Sequence, residues 1–149
     1  MEDCIFCKIV NGEIASEKIW ENDKFLAILD VNPNVKGMTL VVTKNHFDSY
    51  VFTMEDEMYQ NFLLASKSVA KIIEKGLNVK RVAMVMEGMG INHAHIKLYP
   101  MHGLEAEFKE MWAKDKVFFD EYPGYITTQL GPKANTEELK DIAQKIRAK

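Results

Sequence analysis

The chain has 149 residues, 47% of them hydrophobic, with 19 basic and 22 acidic side chains and a formal net charge of −3. That length suits one domain with a substantial core, and the acidic balance lacks the basic footprint of a nucleic-acid-binding chain. No apolar run approaches the roughly 20 residues that span a bilayer, and MEDCIFCKIV at the start lacks the long apolar stretch of a signal peptide, so no membrane association is expected and the cytoplasm is the expected compartment.

In chain order, CIFCKIV at 4–10 followed by Asn11-Gly12 predicts a short helix with a glycine stop. Residues 16–20 and 25–29, rich in Ile, Trp and Phe around the turn Glu21-Asn22-Asp23, predict paired strands. Pro33 and Gly37 mark 30–37 as a loop, and MTLVVT at 38–43 is a strand by composition. Thr53 with Asp56 three residues on reads as a capping box. Met58, Phe62, Ala65, Val69 and Ile72 then follow at spacings of three and four, one buried stripe of a helix ending at Gly76. Residues 79–86 predict a strand, 87–90 a turn, and 93–99 a strand closed by Pro100. Further on, 105–114 reads as helix, 125–129 as strand, and Asn135 with Glu138 opens a terminal helix. Strands on both sides of one long helix predict an α+β class with a mainly antiparallel sheet.

Side chains of a strand alternate between its faces. In HAHIKLYP, residues 93–100, His93, His95 and Lys97 therefore share one face, and Ala94, Ile96 and Leu98 share the other, suited to packing under the long helix. Imidazole can attack phosphorus or bind a metal, and a lysine ammonium neutralises phosphate charge. The alternation by itself fits an edge strand with a solvated polar face equally well. The two cysteines, Cys4 and Cys7, form a C-x-x-C pair. In a reducing compartment that spacing favours a metal or redox chemistry over a structural disulfide.

HAHIKLYP resembles the histidine triad (HIT) superfamily signature, His-φ-His-φ-His-φ-φ with φ apolar. CIFCKIVNGEIASEKIWENDKFLAILDVNP and GMTLVVTKNHFDSY are similar to the strands, and to the Lys-x-His, that precede the signature in that family. The resemblance covers about residues 3–100. It implies a HIT-like fold with a five-stranded sheet, in a single domain whose core is about 3–103, with a C-terminal extension at 104–149. It also implies a homodimer joined by the long helix and a neighbouring strand.

The chemistry implied is that of a nucleotide hydrolase or nucleotidyl transferase, acting at the α-phosphate of phosphoramidates or dinucleoside polyphosphates, with a purine nucleotide or conjugate as its partner. His95 matches the family nucleophile, which forms a nucleotidyl-imidazole later released by water. A neutral imidazole is needed, so the rate should fall as pH drops through about 6.5. Asp30 matches the acidic residue that holds the ribose hydroxyls. Phe6, Ile9, Ile14 and Ile28 fall where the family lines its base pocket, although ordinary core is nearly as good a reading for Ile9 and Ile28. Gly90 and Asn92, in the short loop GMGIN, are candidates for phosphate contacts; the family usually has a longer loop there and an asparagine near Met86.

Lys97 departs from the signature by replacing the third histidine. Branches with glutamine there are active transferases. Lysine implies a point charge on an α-phosphate oxygen, altered substrate choice, or a lost reaction, and the last makes a non-catalytic nucleotide sensor the alternative. One branch binds zinc through residues that here are Cys4, Cys7, His46 and His93. The implied zinc is structural, set against two small buried thiols and a surface His46. His102 lies outside the triad and has at most a rim contact. The branch that removes adenylate from DNA ends carries a zinc finger or basic extension, which this sequence lacks. Trp112, Phe118, Phe119, Tyr122 and Tyr125 crowd the C-terminal segment, with three roles open: covering the core, capping a partner subunit, or shaping the pocket.

Overall fold

A computed structural model describes residues 3–128 and 130–147. The chain divides into two compact units, residues 1–108 and 109–149. In the first are α1 (Ile5–Val10), β1 (Lys18–Glu21), β2 (Phe25–Leu29), β3 (Thr39–Thr43), α2 (Asp56–Leu77), β4 (Val82–Val85) and β5 (His95–Pro100). All strand pairings are antiparallel, in the order β1-β2-β3-β5-β4, so the class is α+β as the sequence predicts.

Cross-strand register sorts the side chains by face. Leu26 pairs with Val42, and Val42 with His95; Ile28 pairs with Leu40, and Leu40 with Lys97. The intervening residues Phe25, Ala27, Val41, Ile96 and Leu98 turn the other way and are buried against Phe62, Ala65, Val69 and Ile73 of α2. Phe25 and Phe62 stack with ring centroids 5.3 Å apart. The opposite face holds a smaller cluster in which Phe6 of α1 covers Leu26, Ile28, Leu40 and Val42. One face of the sheet is thus filled by a long helix, while the other is only partly covered and carries His95 and Lys97.

Several expectations shift. The long helix starts at Asp56, and the expected capping box does not form. Thr53 instead ends a 3₁₀ turn, its Oγ1 donating to the Tyr50 carbonyl at 2.9 Å. The helix runs through Gly76 to Leu77 and stops at Asn78, which adopts the left-handed conformation (φ 51°, ψ 40°) that an asparagine tolerates. Its buried stripe ends on Ile73; Ile72 is exposed, because the apolar row drifts round a 3.6-residue helix. β1, β3, β4 and β5 start one to three residues later than expected, β4 ends one residue early, and His93 and Ala94 precede β5.

In the second unit, 105–114 extends across the boundary and forms no helix, and 125–128 forms no strand. Their side chains are exposed, so neither segment gains the burial that stabilises a short element. α3 (Thr136–Arg147) forms as expected, with Asn135 Oδ1 accepting from the Glu137 amide at 2.8 Å. Gln129, and Ala148 and Lys149 of the expected helix end, lie outside the described residues. Among the described residues no helix is long and apolar enough to cross a membrane.

Candidate active site and metal cluster

β3 and β5 bring the site together with a few backbone bonds at their ends. The Thr43 amide donates to the Ala94 carbonyl at 3.3 Å, and the Ala94 amide donates to the Phe47 carbonyl at 2.9 Å. His46 and His93, 47 positions apart in sequence, thereby reach ring-to-ring contact with centroids 4.9 Å apart.

His93 is fully buried, and its two nitrogens have separate duties. Nε2–H donates to the Thr43 carbonyl at 2.7 Å. That fixes the ring and leaves Nδ1 turned to Cys4 Sγ at 3.3 Å and Cys7 Sγ at 3.5 Å. His46 Nδ1 stands 3.4 Å from Cys7 Sγ. The four potential ligand atoms all lie within 4.8 Å of one another. Zinc–sulfur bonds of about 2.3 Å and zinc–nitrogen bonds of about 2.0–2.1 Å place neighbouring ligand atoms of a tetrahedron roughly 3.3–3.8 Å apart, so the donor set and its spacing fit one tetrahedral cation. The Thr43 carbonyl behind His93 is the outer partner that orients such a ligand. Burial holds the His93 imidazole below its ordinary pKa, which keeps it neutral, the form a metal binds. Burial, with Cys4 alongside, pushes the Cys7 thiol up, and a cation is what would reverse this.

His95 is also buried, and its Nδ1–H donates to the His93 carbonyl at 2.7 Å. That bond fixes the tautomer and leaves the Nε2 lone pair as the reactive one. Burial, then the Lys97 charge, lowers the His95 pKa, while the His93 carbonyl and the carboxylates of Asp30 and Glu87 pull the other way. The net direction is downward, so the ring is neutral near pH 7.

His95 and Lys97 line a cavity of about 390 Å³ between α1 and the sheet, within the range of small-molecule sites. Of the residues expected around a nucleotide, Asp30, Phe6, Ile9, Ile14, Ile28 and Gly90 all lie in its wall. Asp30 also accepts from the Asn32 amide at 2.8 Å, a short turn that holds its carboxylate at the end of β2. Asn92 is not in the wall; its Oδ1 accepts from the Ser49 amide at 2.9 Å and tethers the loop before β5. His102 is exposed and bonds the Lys36 carbonyl, away from the cavity. Sequence reasoning missed Ser16, Asn32 and Glu87 in the wall and Thr43 behind His93. Glu87 had a readable signal: continuing the β4–β5 register past Val85 and Lys97 places it opposite His95. Thr43 had none, because its partner is 50 residues away.

Comparison with known proteins agrees with this geometry. The HIT domain family profile matches residues 11–103. A HIT-like protein of Methanocaldococcus jannaschii is 34% identical over 122 residues, covering 79% of this chain and 94% of its own length. The adenosine 5′-monophosphoramidase hnt1 of Schizosaccharomyces pombe is 35% identical over 98 residues, covering 65% of this chain and 73% of its own. Among solved structures, a HIT family member from Bacillus subtilis superposes with a TM-score of 0.68 at 28% identity, over 99% of this chain and 96% of its own. A zinc-bound histidine triad protein from Mycobacterium smegmatis superposes with a TM-score of 0.61 at 26% identity, over 74% and 84%. The profile match over most of the chain, with a 34%-identical relative matched over 94% of its own length, makes this chain a member of the HIT domain family.

Proposed function

We propose that the protein is a nucleotide hydrolase or nucleotidyl transferase that cleaves nucleoside phosphoramidates or related conjugates at the α-phosphorus. The observation that carries this reading is His95: buried, held at Nδ1 by the His93 carbonyl, and set beside Lys97 in a cavity that also contains Asp30. The activity named for the hnt1 relative points the same way. The His95 Nε2 lone pair attacks the α-phosphorus. A P–N bond forms as the bond to the leaving group breaks, and the leaving group departs with that electron pair and takes up a proton. Water then displaces Nε2 and releases the nucleoside monophosphate. Lys97 supplies positive charge to the phosphoryl oxygens, Asp30 accepts from the ribose hydroxyls, and the apolar wall of Phe6, Ile9, Ile14 and Ile28 receives the base.

In the same reading, Cys4, Cys7, His46 and His93 hold zinc. The zinc has a structural role and leaves His95 free of the metal. The cluster geometry and the zinc-bound M. smegmatis relative support this. About one zinc per chain is expected in protein purified without chelator; a metal-free preparation with reduced cysteines contradicts it. The working species is taken as a homodimer, which would cover the outer edge of β4, the last strand of the sheet. Sedimentation showing only monomer at micromolar concentrations would remove that part.

The direct test is turnover of adenosine phosphoramidate and diadenosine polyphosphates, with their guanosine counterparts, by the wild type and by His95→Ala. Wild-type turnover falling by about 10³-fold or more in the variant is expected. AMP binding without turnover of any conjugate would leave a nucleotide sensor, with Lys97 as the reason for the lost reaction.

A further inference from the structure

The metal cluster and the cavity share one short helix. Cys4 and Cys7 place their sulfurs in the cluster, while Ile5, Phe6 and Ile9 of the same segment wall the cavity. The Phe6 ring bridges the two sites. Its centroid lies 5.6 Å from that of His93, edge-on at 82°, and 5.2 Å from that of His95. A second route runs through the strand: His93 faces the cluster with Nδ1 while its carbonyl fixes His95 Nδ1.

α1 has six residues and no side-chain cap at Cys4. Isolated helices are marginal even at about 12–15 residues, so this one exists only because it is anchored. Its anchors are the packing of Phe6 over Leu26, Ile28, Leu40 and Val42, and the contacts of Cys4 and Cys7 with the two histidines. A cation joining those four side chains would replace weak sulfur–nitrogen contacts with coordinate bonds and hold the helix down.

We propose that metal binding and nucleotide binding are coupled through α1: a cation on Cys4, Cys7, His46 and His93 fixes the wall formed by Ile5, Phe6 and Ile9, and so raises nucleotide affinity. The coupling rests on the cavity being a nucleotide site, but not on the reaction. Linkage makes it reciprocal, so nucleotide tightens metal binding by the same factor. When the binding-competent arrangement is only partly populated, apparent affinity falls by that fraction. A metal-free chain with α1 in place about one-tenth of the time would therefore bind nucleotide about tenfold more weakly.

Calorimetry with AMP, on the zinc-loaded chain and on the chain stripped by chelator under reductant, measures one arm. Zinc affinity by chelator competition, with and without saturating AMP, measures the other and starts from folded, loaded protein. The expected result is AMP binding at least about tenfold weaker after stripping, and zinc binding tighter by the same factor with AMP present. Equal AMP affinity in both forms, or zinc affinity unmoved by AMP, overturns the coupling. Where stripping melts the sheet, as read by circular dichroism, the zinc arm decides alone. A loaded chain that fails to bind AMP at millimolar concentration overturns the nucleotide reading and the coupling with it, whereas a chain that takes up no zinc overturns the coupling and leaves the nucleotide reading standing.

Discussion

His95 donates from Nδ1 to a carbonyl two residues back, and this single bond decides which nitrogen faces the cavity. Alternation in HAHIKLYP predicted that His93, His95 and Lys97 share a strand face; His95 and Lys97 do, because β5 continues through both, while His93 lies before the strand. The duty of His93 was less readable. It precedes the strand, and its orientation depends on the Thr43 carbonyl. The His95 pKa carries a prediction with a definite sign. Burial disfavours the imidazolium and lowers the pKa below 6.5, so the ring is neutral at pH 7, the form the proposed attack requires. The pH profile of kcat/KM should be level near neutrality and fall on the acid side only below pH 6.5. An acid limb centred clearly above 6.5 would contradict the lowered pKa and mean that the imidazole is stabilised as a cation in the free protein.

At the scale of elements, the loop between β4 and β5 depends on one glycine. Gly88 has φ +74°, and a Cβ there would lie 2.7 Å from the Ser49 carbonyl oxygen. The same two segments are tied by the bond from the Ser49 amide to Asn92. Gly88→Ala should cost about 1–3 kcal/mol, measured as a lower denaturation midpoint, and should displace the loop that carries Gly90 in the cavity wall. An unchanged midpoint would show that the two segments separate easily. The strong signals were legible: MTLVVT as a strand from its composition, and the α2 stripe as a helix from its period. The capping box misled because the Thr53 hydroxyl found a closer acceptor in the preceding turn, which no spacing rule reveals. The helix end misled because an asparagine, not the glycine, took the left-handed position.

Over the whole molecule, the sheet separates two duties. Its α2 face is a conventional core, and the other face leaves room between β2, β5 and α1 for a cavity. That division followed from register, and register followed from alternation, which is why the site face could be read from sequence. The second unit was legible only at α3, where Asn135 supplies a cap; Trp112, Phe118, Phe119, Tyr122 and Tyr125 are all exposed, so their spacing carried no burial signal. The central claim is that His95 takes the nucleotidyl group before water does. Each in-line displacement inverts phosphorus, so two displacements restore its configuration. The measurement is the stereochemical course of hydrolysis of a chiral adenosine phosphorothioamidate in isotopically labelled water. Retention at phosphorus is the predicted result; inversion would mean that water attacks directly and that His95 never carries the nucleotide.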